Sequence, residues 1–182
     1  CLAFIVLAFL LLSSGAGQAQ SDIKRLSLLT GGTGGVYYPL GGGLAQVISK
    51  YVPNTAATAE VTAAAVDNIK LLKAGKGELA LLIADVCHDA IQGIGRFEKD
   101  GKIPLRTLAV FYGNLNHMVV LKESGIQTVP ELKGKRVSVG APGSATEVKS
   151  TRILEAFGLD VKKDIKPERL SVAESAAALK DR

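Results

Sequence analysis

One pattern constrains the fold of this chain more than any other: an apolar strand, a glycine-rich loop and a helix follow one another twice. The first copy runs from Leu26-Ser27-Leu28-Leu29 through Thr30-Gly31-Gly32-Thr33-Gly34-Gly35 into Val36-Tyr37-Tyr38-Pro39. A helical spacing of Leu40, Leu44, Val47, Ile48 and Tyr51 follows. The second copy runs from Arg136-Val137-Ser138-Val139 through Gly140-Ala141-Pro142-Gly143-Ser144-Ala145-Thr146 into a helix with Ile153, Leu154 and Phe157, stopped by Gly158. Glycines let the backbone turn sharply and approach a ligand closely. The unsatisfied N–H groups and the dipole of a helix start favour an anion at that point. Two such loops facing one another across a cleft would suit a small polar or anionic molecule.

The segments between the two copies continue the alternation. Ala56–Val61 reads as a second strand, and Val66–Ala74 as a helix closed by Gly75. Leu79-Ala80-Leu81-Leu82-Ile83 is a continuous apolar run of the kind found in buried parallel strands. Asp85 follows it at the start of the next helix, where capping and ligand contact are equally open roles. Leu108–Tyr112 and Met118–Leu121 read as two further strands. Thr128 with Glu131, and Ser171 with Glu174, have the spacing of capping boxes. Strands alternating with helices predict an α/β fold with a mostly parallel sheet.

The loop chemistry narrows the function. A P-loop needs Gly-Lys-Ser/Thr at its end, and none is present. The dinucleotide fingerprint is met only loosely, and the first acidic residue after the loop, Glu60, stands too far along to bind a ribose. A tight turn without a ligand remains open for this loop, although two Gly-Gly pairs exceed what a turn needs.

The chain opens with a greasy stretch, Cys1 to Leu12, followed by Ser13-Ser14-Gly15-Ala16-Gly17 and Gln18-Ala19-Gln20. An apolar core with small residues behind it is the mark of a secretory signal, and the run is too short to span a bilayer. Residues 1–19 are therefore expected to be an export signal cleaved after Ala19, with a periplasmic destination. The net charge of +5 falls after residue 21, is dispersed, and is not interleaved with aromatics, so nucleic acid is not an expected partner. Behind the signal only Cys87 remains, which rules out an internal disulfide framework. His88 and His117 are isolated, so neither metal nor cofactor is expected.

Three segments together resemble one family. They are Thr30-Gly-Gly-Thr-Gly-Gly-Val-Tyr-Tyr-Pro-Leu-Gly, Val66-Asp67-Asn68-Ile69-Lys70-Leu71-Leu72, and Leu132-Lys-Gly-Lys-Arg-Val-Ser-Val-Gly-Ala-Pro-Gly-Ser. They resemble the TAXI family, the solute receptors of tripartite ATP-independent periplasmic (TRAP) transporters. The resemblance implies a two-lobed α/β fold like that of type II periplasmic binding proteins. Residues 20–115 would form the first lobe and 116–182 a second, incomplete one. A small carboxylated solute, such as glutamate, glutamine or a dicarboxylate, would bind in the cleft. A monomeric receptor would deliver it to the TRAP membrane subunits.

Carried over by residue, the resemblance assigns ligand contacts to Thr33, Gly34, Gly35 and Tyr37 in the first lobe, to Asp85 after the third strand, and to Gly143, Ser144 and Thr146 in the second lobe. Hydroxyls and N–H groups would hold a carboxylate, and the Tyr37 ring would pack on the solute body. For Tyr37 a core aromatic role stays open, as does helix capping for Ser144 and Thr146. The chain departs from the family at three places. Val61-Thr62-Ala63-Ala64-Ala65 replaces Val-Thr-Gly-Gly-Ser, Ile83-Ala84 replaces Gln-Ser, and Cys87-His88 replaces Ala-Tyr. The chain also halts inside a helix at Lys180-Asp181-Arg182, so it reads as a piece of a longer protein.

No Ser-His-Asp set or pair of catalytic carboxylates appears, so a binding protein rather than an enzyme is expected. The competing reading is an exported enzyme whose glycine loop holds a phosphorylated or nucleotide substrate. Asp85 and His88 would be its only candidates for acid–base work.

Overall fold

The computed structural model describes residues 22–181, so the export signal expected at 1–19 lies outside the described residues. Strand β1 (Lys24–Leu29) is the centre of a three-stranded parallel sheet ordered β2-β1-β3. It pairs along its whole length with β2 (Thr55–Glu60), from Lys24 opposite Thr55 to Leu29 opposite Glu60. On its other side Leu28 and Leu29 pair with β3 (Leu79–Ala80). A second parallel sheet joins β4 (Arg136–Ser138) to β5 (Lys166–Glu168). The helices are α1 (Tyr37–Tyr51), α2 (Ala65–Lys73), α3 (Ala84–Gln92), α4 (Ala145–Ala156) and α5 (Val172–Asp181). The α/β layering and parallel pairing match the expected fold class.

Two apolar cores hold these layers. The first gathers Ala65, Val66 and Ile69 of α2, Val86 and Ala90 of α3, Phe97, Ile103 and Val148. The second gathers Leu132, Val139, Leu154, Leu159 and Ile165. Helix α4 serves both, because Val148 faces the first core and Leu154 the second. Two turns apart, these residues lie on different sides of the same helix, which ties the two sheets together through one rigid element. Both capping boxes form: Glu131 and Thr128 close the 3-10 turn Val129–Leu132, and Ser171 with Glu174 exchange bonds at the start of α5.

Several expectations need correction. The segments at 108–112 and 118–121 are not strands. A strand persists only when its N–H and C=O groups pair, and no described strand lies beside them. Leu108, Val110 and Val119 are correspondingly exposed, at 82%, 85% and 68%. Strand β3 is two residues long, because the chain turns from Leu81 into α3 at Ala84. Strand β5, all exposed and containing Pro167, carries no apolar alternation and was not foreseen. In α1 the expected apolar stripe is rotated: Val47 and Tyr51 are exposed, while Gly41 and Ala45 are buried. The helix approaches β1 so closely that its smallest residues take the inner face. A Cβ on Gly41 would lie 2.3 Å from Thr30 Cγ2.

Ala64, immediately before α2, has φ +78° and ψ −152°. That region is accessible essentially to glycine alone and costs a non-glycine residue about 1–3 kcal/mol. It falls where the resembled family has the second glycine of Val-Thr-Gly-Gly-Ser. The strain is held by a bond from Ala64 N–H to Thr62 Oγ1 (3.0 Å) and by the Ala64 carbonyl accepting from Asn68 N–H (2.9 Å). Ala64→Gly is expected to raise the unfolding free energy by about 1 kcal/mol, once the entropy of a more flexible unfolded chain is deducted. Chemical denaturation of the two proteins side by side checks this, and an unchanged or lower midpoint would refute it.

Candidate functional site

In a parallel sheet of order β2-β1-β3, chain connections leave β1 and β3 on opposite sides, opening a crevice at their carboxyl ends. The first glycine loop begins at that crevice. Thr30 is fully buried, and its N–H (3.0 Å) and Oγ1 (2.6 Å) both donate to the Glu60 carbonyl. This anchors the loop to the end of β2. Gly35 N–H donates to the Gly32 carbonyl at 3.0 Å and closes the turn. Thr33 and Gly34 are exposed, whereas Gly35 and Tyr37 are half-buried. Helix α1 then starts with no side-chain cap and no acidic residue in its first turn. Its amino end carries an uncompensated partial positive charge.

Asn68, on α2 and fully buried, ties the crevice together. Its Nδ2 donates to the Thr30 carbonyl (2.8 Å) and to the Leu81 carbonyl (3.2 Å), linking the ends of β1 and β3. Its Oδ1 receives no hydrogen bond from the described residues.

Tyr37 stands at the crevice mouth. Burial pushes its phenol up to about 12, helped by Tyr112 and more weakly by Cys87 and Asp85, against a hydrogen bond from Asn114. The hydroxyl stays protonated and able to donate. Burial, then the Asp85 carboxylate, also push the Cys87 thiol up, so it is a poor nucleophile. Asp85 lies in the first turn of α3, one position inside the expected cap. The cap residue is Ile83, and Asp85 Oδ1 accepts from the Val86 N–H at 2.9 Å.

The second glycine loop reaches the same region by another route. Ser144, buried, caps α4 by accepting from Glu147 N–H at 3.1 Å. Gly143 N–H donates to Glu147 Oε2 (3.1 Å), and its carbonyl accepts from Val66 N–H (3.1 Å) and Asp67 N–H (3.3 Å) at the start of α2. Both polar groups of Gly143 are thus engaged within the protein. Thr146 is exposed in the first turn of α4. The turn at 61–65 separates the two loops: a Cβ at Gly31 would meet Ala64 at 3.3 Å, and one at Gly143 would meet Ala63 at 3.8 Å. The expected face-to-face arrangement therefore differs in one respect. The element touching Gly34 is the start of α5, where a Cβ on Gly34 would lie 2.6 Å from Ala173 Cβ.

A charge cluster joins α3 to α4. Arg152 binds the buried Asp89 closely and reaches Asp85 Oδ2 at 3.7 Å, while Lys149 Nζ lies 4.0 Å from the same oxygen. The buried Glu147 is held by Arg96 (2.9 Å) and Arg169 (3.2 Å). No group of three potential metal ligands occurs among the described residues. None of the described helices is long and apolar enough to cross a membrane.

Residues 28–182, nearly everything behind the loop-bearing first strand, match the NMT1-like family. The chain belongs to that family. Among solved structures, it is similar to the alkanesulfonate-binding protein of Xanthomonas axonopodis pv. citri, determined with bound MOPS. The identity is 21% and the TM-score 0.53, over 85% of this chain and 50% of that one. At this identity the likeness concerns the fold, a periplasmic-binding-protein-like α/β architecture. The chain spans half the length of that protein.

In this NMT1-like chain the sequence pointed to Thr33, Gly34, Gly35, Tyr37 and Asp85 around the crevice, and to Gly143, Ser144 and Thr146 around the start of α4. It missed Asn68, Tyr112, Asn114 and the pair Lys149 and Arg152. Asn68 had a legible signal, a polar residue between the buried Val66 and Ile69. Asn114 had none, because its nearness to Tyr37 arises from the path of an irregular segment.

Proposed function

We propose that this NMT1-like chain is the extracytoplasmic solute receptor of a TRAP-type secondary transporter. It takes a small carboxylated solute into the crevice between the two glycine loops and hands it to the membrane subunits. The observation that carries this is the bare amino end of α1, resting on a glycine loop at the carboxyl ends of β1 and β3. That is where open α/β sheets bind ligands and where a helix dipole favours an anion. Thr33, Gly34 and Gly35 would hold the carboxylate, Tyr37 would pack on the solute and donate from its neutral phenol, and Asp85 would face the solute's other end. Gly143, Ser144 and Thr146 would approach from the second loop. The regions 20–115 and 116–182 act as two lobes that close on the solute, as hinged receptors do. The receptor works as a monomer in the periplasm, and the segment 1–19 directs its export.

A thermal-shift and calorimetric screen against amino acids, 2-oxo acids, dicarboxylates and alkanesulfonates tests the reading. One solute class should raise the melting temperature without being consumed. Thr33→Val, at an exposed position, should weaken that solute about 10-fold, the loss expected for a hydrogen bond to a charged group. Turnover of a phosphorylated or nucleotide substrate would overturn the receptor in favour of an enzyme.

A further inference from the structure

We infer that Lys149 and Asp85 form a charge-reading pair selecting zwitterionic solutes, with Lys149 taking the solute's anionic group and Asp85 its ammonium. The inference rests on the receptor reading above and deepens it. The other carboxylates of the α3–α4 cluster are satisfied. Asp89 has Arg152 in close contact, and Glu147 has Arg96, Arg169 and the Gly143 N–H. Lys149 differs. Its side chain is only 17% exposed, yet a single carboxylate oxygen among the described residues comes within 4.0 Å of its ammonium, at the limit of that distance. A largely buried ammonium held so loosely keeps much of its desolvation cost, so a closer anion is strongly favoured. Asp85 is equally loose toward its partners, at 4.0 Å from Lys149 and 3.7 Å from Arg152. It is also the member of the cluster that contributes to the electrostatic surroundings of the Tyr37 hydroxyl, which places it on the crevice side.

A molecule carrying an ammonium and an acid group on neighbouring atoms matches this pair with its polarity reversed. Each protein charge would exchange a distant partner for a close one. A solute with two acid groups and no ammonium would set one of them against Asp85, and such like-charge juxtaposition rejects wrong partners. The chemical class is therefore an α-amino acid or an aminosulfonate, rather than a dicarboxylate or an oxo acid.

Calorimetric titration of the full chain with L-glutamate, taurine and 2-oxoglutarate tests this, with the melting temperature of each unliganded variant confirming its fold. 2-Oxoglutarate keeps the glutamate skeleton and lacks the ammonium. The parent protein should bind one of the two zwitterions at least about 10-fold more tightly than 2-oxoglutarate. Lys149→Met should weaken that zwitterion about 30-fold or more, and Lys149→Arg should restore most of the loss. Asp85→Asn should erase the preference for the ammonium, weakening the zwitterion while leaving 2-oxoglutarate equal or tighter. If the parent binds 2-oxoglutarate best, or if Lys149→Met leaves affinity intact in a folded protein, the inference falls and the receptor stands. If none of the screened solutes binds, both fall.

Discussion

Replacing Asn68 by alanine lowers the unfolding free energy by about 2–4 kcal/mol, one of the largest single-residue effects expected in this chain. The side chain is fully buried and donates to the carbonyls of Thr30 and Leu81 at the ends of β1 and β3. Alanine leaves both carbonyls without that donor, at about 1–3 kcal/mol for each buried unsatisfied group. It also removes Asn68 Oδ1, which itself lacks a partner and already carries such a cost. The net lies below the sum of the two losses for that reason. Asn68→Asp separates donor chemistry from shape: it keeps the volume, lacks both donated hydrogens and adds a charge facing two carbonyl oxygens. It should therefore be more destabilising than alanine at neutral pH. Denaturant titrations of the three proteins, compared at a common slope, give the order. A loss below about 1 kcal/mol for alanine, or aspartate milder than alanine, would show that the Asn68 bonds do not hold the crevice.

Gly41→Ala is the second. Alanine in a helix interior normally gains about 1 kcal/mol over glycine. Here the new methyl would sit 2.3 Å from Thr30 Cγ2 and 3.5 Å from Leu28 Cδ2. Thr30 cannot turn aside cheaply, because its Oγ1 is bonded to the Glu60 carbonyl at 2.6 Å. Overpacking of this kind costs about 1–3 kcal/mol, and losing the Thr30 bond about 1 kcal/mol more. The net expectation is a loss of about 1–3 kcal/mol. The neighbouring helical glycine is the internal control, since a Cβ on Gly42 meets nothing within 4 Å. Gly42→Ala should stabilise by about 0.5–1 kcal/mol, so adjacent substitutions in one helix should move the melting temperature in opposite directions. Thr30→Ser removes the obstructing methyl and keeps the hydroxyl, so it should recover much of the Gly41→Ala loss. Equal effects at Gly41 and Gly42 would mean that α1 does not pack on β1 as described.

Much of the fold was legible before any coordinates. Leu26–Leu29 and Ala56–Val61 were readable as strands because an apolar or small-residue run bounded by turn residues has few other uses. The helix stops at Gly75 and Gly158 were readable because both take positive φ, at +66° and +80°. The two capping boxes were readable because they depend on a spacing of three residues alone. Leu108–Tyr112 and Met118–Leu121 misled, because an apolar run states a preference for burial and not the presence of a neighbour to pair with. The stripe on α1 misled for the opposite reason. Periodicity points to the largest apolar residues, whereas a helix seated tightly on a strand turns its smallest ones inward.

The candidate site divides along the same line. The glycine loop, its place after a strand and before a helix, and its unsuitability for nucleotide were local properties, and the chain itself determined them. So was the choice of Tyr37 and Asp85 as helix-start residues. The closeness of Lys149 to Asp85, the bridge from Asn68 to two strand ends, the strain at Ala64 and the contact of Gly34 with α5 were decided only by the tertiary structure. Each depends on groups that the packing of α2, α3, α4 and α5 brings within a few ångströms. Local spacing encodes turns, caps and periods, but distances between remote residues appear only after the cores around Ile69 and Leu154 have closed.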